Sequence, residues 1–187
     1  MKMNLKEFWK YYSYGIVRIF VDQLAIAIFA FALCLGFASA GMTSLTIAGS
    51  AFAVLFFMFM VAQLCFKQGV NDREKTELGR FKRDNLTGLY MGLLANVPNF
   101  VLAIGYAVFY SISATRGSVS GFFALALKLI TGEYIGLLTI KVGGNMLGLY
   151  PISYFLIMIP GIFSAFLGYY LGVTGKIVIK PTKKDLE

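Results

Sequence analysis

Apolar positions along the chain gather into four long runs. The first, GIVRIFVDQLAIAIFAFALCLG, covers 15–36, and the second, TIAGSAFAVLFFMFMVAQLCF, covers 46–66. The third covers 88–112 and the fourth 151–173. Each meets the ~20 apolar residues that a helix needs to cross the hydrocarbon core of a bilayer. An uncharged link of Gly, Ser and Thr makes the first two an antiparallel hairpin. The first run ends near Ala38-Ser39-Ala40, which matches a signal-peptidase site, but its apolar core is too long for a signal peptide and contains Asp22. A retained helix is expected there.

Two stretches interrupt this pattern. KQGVNDREKTELGRFKRDNLT, residues 67–87, is too polar for lipid and reads as a solvated linker helix on the cytoplasmic side. GFFALALKLITGEYIGLLTIKVGGNMLGLY, residues 121–150, is long enough to cross once but contains Lys128, Glu133 and Lys141. Positive charge decides between its options. Four Lys and Arg lie in residues 1–18, six in the polar loop and four in the tail 174–187, leaving only Arg116, Lys128 and Lys141 elsewhere. The positive-inside rule puts all three basic groups in the cytoplasm, so an even number of crossings separates loop from tail. Residues 121–150 are therefore expected to form a re-entrant or interfacial outer segment, with Lys128 and Glu133 near water and glycines 132, 136, 143 and 144 permitting the breaks. The expectation is an all-α polytopic helical bundle of four transmembrane helices plus this segment, multi-pass in the cell membrane, with both termini cytoplasmic.

Composition narrows the class further. Of 187 residues, 58% are hydrophobic and 14% charged, which leaves no room for a soluble domain beside the spans. The net charge of +8 is distributed at the ends of apolar runs, so it marks topology and not a nucleic-acid surface. Histidine is absent, which removes Ser-His and Cys-His pairs and the usual transition-metal ligands. Cys34 and Cys65 fall inside apolar runs and read as small apolar residues. No metal, no cofactor and no catalytic residue is expected. The N-terminal MKMNLKEFWKYYSY, residues 1–14, reads as an interfacial anchor of aromatics and lysines on the lipid bilayer.

The candidate chemistry lies in the few polar residues within the runs. At ~1.5 Å per residue, Asn96 lies ~12 Å and Asn99 ~16 Å from the cytoplasmic start of the third run, and Asp22 ~10 Å from that of the first. Arg18 and Asp22 are four apart and can pair; Asn96 and Asn99 are three apart and share a face. Pro98 frees the carbonyl of residue 94. Together with Gln23 and Gln63 these residues form one expected polar cluster in the inner half of the bundle. Such residues are functional candidates, though polar side chains also join helices structurally.

In the fourth run Gly161, Ala165, Gly168 and Gly172 draw a stripe of small residues along one face, and Gly88 and Gly92 add a GxxxG. Both are packing surfaces, and the longer one suggests a subunit contact. The residues NDREKTELGRFKRDNLTGLYMGLLANVP, with the downstream LGYYLG and the basic tail, resemble a group of small bacterial membrane proteins of Firmicutes. That resemblance covers the second half of the chain and carries no functional residue across. By size and hydropathy the chain is also similar to the substrate-binding subunits of energy-coupling-factor transporters, which usually have six spans where four are clear here. The functional expectation is a small transport or channel-type protein, not an enzyme, acting as an oligomer. The alternative is a non-catalytic accessory or substrate-binding subunit of a larger membrane complex.

Overall fold

The computed structural model describes residues 5–79, 84–112 and 117–175. Arg116, residues 80–83 of the polar loop and the tail from 176 lie outside the described residues. Two helices of 35 residues, α1 (Leu5–Ser39) and α2 (Thr43–Glu77), form the expected hairpin. Gly41, at φ 72°, makes the turn between them. The chain continues through α3 (Thr87–Ala95), α4 (Val97–Ser111) and α5 (Val119–Ile130). A 3-10 turn (Gly132–Tyr134), α6 (Ile135–Leu138) and a small hairpin of β1 (Lys141–Val142) and β2 (Asn145–Met146) follow. The positive φ of Gly143 and Gly144 closes that hairpin, since a primed two-residue turn needs both. The chain ends in α7 (Pro151–Leu156) and α8 (Ile159–Thr174).

The all-α class stands. Three helical stretches, Lys6–Ser39, Thr43–Glu77 and Pro151–Thr174, are long and apolar enough to cross a membrane, and two bent pairs raise the number to five. One pair is the third apolar run, broken at Asn96 with a bend of 52° between α3 and α4. Pro98 stands in the first turn of α4, where its missing N–H costs no helical hydrogen bond. The other pair bends by 90° between α5 and the turn that leads into α6.

Side chains of one face hold α1 and α2 in the bundle. On α1 the buried positions Phe8, Tyr12, Ile16, Ile19, Gln23, Ile26, Ala27, Ala30 and Cys34 follow the three-and-four spacing of one helical stripe. Phe8 and Tyr12 thus belong to the core, while Trp9, Tyr11 and Tyr14 of the expected interfacial anchor face outward with Lys6 and Lys10. On α2 the buried stripe runs Phe57, Val61, Cys65, Gly69 and Asp72. The first part of the expected solvated loop therefore continues α2 into the bundle, because its buried face does not stop where its charges begin.

The small-residue stripe of α8 is used within the chain and is not left for a partner. A Cβ on Gly168 would strike the Ala62 carbonyl and one on Gly172 the Phe66 carbonyl, while one on Gly161 would lie 3.0 Å from the Phe57 ring. Ala165 faces α3, where added Cβ atoms at Gly88 and Gly92 would lie 2.5 Å from its carbonyl and 3.1 Å from its Cβ. Close backbone approach is what such residues permit between membrane helices. Here it joins α8 to α2 and α3.

Two apolar cores result. One gathers α1, α2, α3 and α8 around Ile19, Phe57, Met91 and Tyr169. The other gathers α4 to α7 around Tyr106, Leu127, Tyr134 and Tyr154.

Candidate functional site

The expected polar cluster divides in two. Arg18, Asp22 and Gln63 line an outward-facing groove between α1 and α2, together with Tyr14 and Lys67. Arg18 Nε lies 3.8 Å from Asp22 Oδ2, but half of the Arg18 side chain is exposed. An exposed pair of this kind contributes about 0–1 kcal/mol. Gln63 is exposed and the structure does not bring it to the asparagines. Helix geometry separates these residues, since Asp22 and Gln23 are consecutive and project about 100° apart.

Gln23, Asn96 and Asn99 do meet, in the interior. Asn99 Nδ2 donates to Gln23 Oε1 at 3.0 Å and to Asn96 Oδ1 at 3.0 Å. Asn96 Nδ2 reaches back to the Gly92 carbonyl at 2.9 Å, fixing the side chain at the α3–α4 break. Asn99 is fully buried, four residues from Ala95 of the first core and four from Ala103 of the second. The amides occupy the seam between the cores.

A fourth member comes from the outer segment. Gln23 Nε2 donates to Glu133 Oε1 at 3.1 Å, and Glu133 is 0% exposed. Glu133 was expected near water, on the side of the membrane away from Asp22 and the asparagines. Instead the segment turns inward and sets its carboxylate beside Gln23. Two glycines allow this. A Cβ on Gly132 would strike the Ala27 carbonyl of α1, and one on Gly136 the Thr46 carbonyl of α2. The expected breaks thus occur beside these glycines, whose further role is close approach to the helices. Ser50 of α2 then clamps the turn: its hydroxyl donates to the Glu133 carbonyl and accepts from Gly136 N–H at 3.1 Å. Lys128, the other outer-segment candidate, lies partly buried on α5 and takes no part, and Lys141 is exposed on β1.

Charge balance makes this arrangement unusual. Among the described residues no ion pair includes Glu133, although burying an unpaired ionised carboxylate costs on the order of several kcal/mol. Two oxygens of the group, Glu133 Oε2 and Asn99 Oδ1, are buried with no hydrogen-bond partner, as is the neighbouring Tyr134 hydroxyl. The described residues contain no group of three or more His, Cys, Asp or Glu that could hold a metal ion. The site is a line of carboxamides ending on one carboxylate.

Comparison with family models, with curated proteins and with solved structures gives no match. The reading of the site rests on its geometry.

A second buried carboxylate lies at the far end of α2, outside the cluster expected from sequence. Asp72 Oδ2 accepts from Tyr12 at 2.7 Å and from Tyr169 at 3.0 Å, tying α1, α2 and α8 together. Lys75 Nζ stands 3.7 Å from its other oxygen. Where Glu133 has one amide donor and no described cation, this carboxylate has two hydroxyl donors and a lysine, and its arrangement is that of a structural joint.

Proposed function

We propose that the chain is a small polytopic membrane transport protein whose path passes the buried line Glu133–Gln23–Asn99–Asn96. The observation that carries this reading is the Glu133 carboxylate, fully buried, unpaired by any described cation and left with one unpartnered oxygen. Ionisable groups inside membranes are costly and typically mark pathways for ions or polar substrates. In the proposed topology four helical passages cross the bilayer, the third broken at Asn96, and the segment 121–150 enters from the outer face and returns. Both termini are cytoplasmic, as the basic groups favour. Several copies act together, because one bundle of this size encloses no wide passage. The accessory-subunit alternative drew on the α8 stripe and the cytoplasmic loop; since the stripe packs inside the chain, that alternative rests on the loop.

Topology is tested by cysteine labelling. Cys34 and Cys65 are buried and give little background. Lys141→Cys is expected to react with an impermeant maleimide added outside cells, and Glu77→Cys only after the membrane is opened. The reverse pattern would overturn the orientation.

Transport is tested in proteoliposomes loaded with proton, sodium and potassium indicators. Glu133→Gln and Asn99→Ala should each lower flux by at least about tenfold, as for residues on an ion path. Arg18→Ala, in the outward groove, should change it little. Wild-type flux in both interior variants, at normal expression, would leave the amides as helix joints only.

A further inference from the structure

We infer that Glu133, Gln23 and Asn99 form a binding site for a monovalent metal cation, with sodium as the test ion. The inference deepens the transport reading, since it uses the same cluster, but binding and flux are measured separately.

The donor set decides the class of ligand. Every free atom that the cluster offers is a hard oxygen: Glu133 Oε2 and Asn99 Oδ1, both buried and unpartnered. Carboxylate and carboxamide oxygens suit alkali and alkaline-earth ions and are poor ligands for softer metals. Charge then selects within that group. One carboxylate balances one positive charge, whereas a calcium site normally gathers several acidic ligands. Among the described residues the cluster has only Glu133.

The site is also built and not incidental. Gln23 joins the two side chains through a single carboxamide, donating to Glu133 and accepting from Asn99. Gly132 and Gly136 flank the carboxylate and bring its turn against both long helices, and Ser50 fixes the backbone between them. Glu133 Oε2 and Asn99 Oδ1 take part in none of these hydrogen bonds, so a cation that engages either oxygen leaves them intact. It would supply the charge that the bundle otherwise lacks at this depth.

Thermal unfolding of the purified full chain in detergent tests the site, with sodium chloride compared against choline chloride at equal ionic strength and fixed pH. A ligand that binds only the folded state raises the unfolding temperature with its concentration. Wild-type protein should gain several degrees in sodium over choline. Glu133→Gln keeps the hydrogen bond to Gln23 while removing the charge, so it should fold at least as stably as wild type in choline and lose the sodium response. Asn99→Ala, a second variant, should need a higher sodium concentration for the same gain. Equal wild-type curves in the two salts would overturn the site, as would a sodium response retained in Glu133→Gln. A response to acid alone would make Glu133 a proton acceptor and likewise overturn a metal-ion site. Sodium stabilisation without flux in proteoliposomes would uphold the site and sink the transport reading; flux without stabilisation would do the opposite.

Discussion

Gly168→Leu is expected to prevent α8 from seating on α2 and so to abolish the native bundle. The two helices form the most extensively packed pair in the chain. At their closest approach a Cβ on residue 168 would overlap the backbone carbonyl, C and Cα of Ala62. Overpacking costs about 1–3 kcal/mol where neighbouring side chains can shift. Here the obstacle is main chain inside a helix, and Gly172 has the same restriction against Phe66 one turn further on, so the loss should exceed about 3 kcal/mol. Size-exclusion profile and unfolding temperature in detergent provide the measurement. Gly121→Leu is the control, because nothing lies within 4 Å of that position. A monodisperse Gly168→Leu protein with wild-type thermal stability would refute the packing described for α8. The effect falls on folding and not on subunit number, because this face of α8 is covered by the chain itself.

Asp72→Ala should be the next most damaging change. It removes the acceptor of two buried phenol hydroxyls, from Tyr12 on α1 and Tyr169 on α8. Each buried donor left unpaired costs about 1–3 kcal/mol, so a combined loss of about 2–6 kcal/mol is expected. Coupling distinguishes this mechanism from general disturbance. Tyr12→Phe alone should cost about 1 kcal/mol, and in the Asp72→Ala background it should be neutral or stabilising, because it removes the stranded hydroxyl. Asp72→Asn, which keeps an acceptor oxygen, should lose less than Asp72→Ala. Denaturant unfolding of the four proteins gives the cycle. A loss under about 0.5 kcal/mol for Asp72→Ala would remove the joint from the account of stability.

These two positions show what a sequence reveals and what it hides. Hydropathy located the long helices and the hairpin, and small residues at helical spacing located the face of α8 that must approach another helix. The partner of that face is not encoded locally, so a contact with α2 and a contact with another subunit read alike. Asp72 was obscured by its neighbours: in NDREK it looks like one charge of a solvated run. Spacing carried the missing signal, because Val61, Cys65, Gly69 and Asp72 continue one stripe past the point where hydropathy falls. The same test separates Gln23, in register with Ile19 and Ile26, from Arg18 and Asp22, which are not. Glu133 had no such signal. It stands in a single 3-10 turn between α5 and α6, too short to show a period, and the approach of Gly132 and Gly136 to two distant helices carries it inward.

The length of the first two helices has one further implication. Thirty-five residues extend ~52 Å, against ~30 Å of hydrocarbon, and no ordinary tilt absorbs the difference. Their shared turn at Gly41 is short and uncharged, so in the proposed orientation the surplus projects into the cytoplasm. In that orientation the two helices form a stalk of about three to four helical turns on the cytoplasmic side. Lipid would not hold that stalk together; the packing of Phe8, Tyr12, Tyr169 and Val173 does, with the Asp72 carboxylate gripped by two phenols among them.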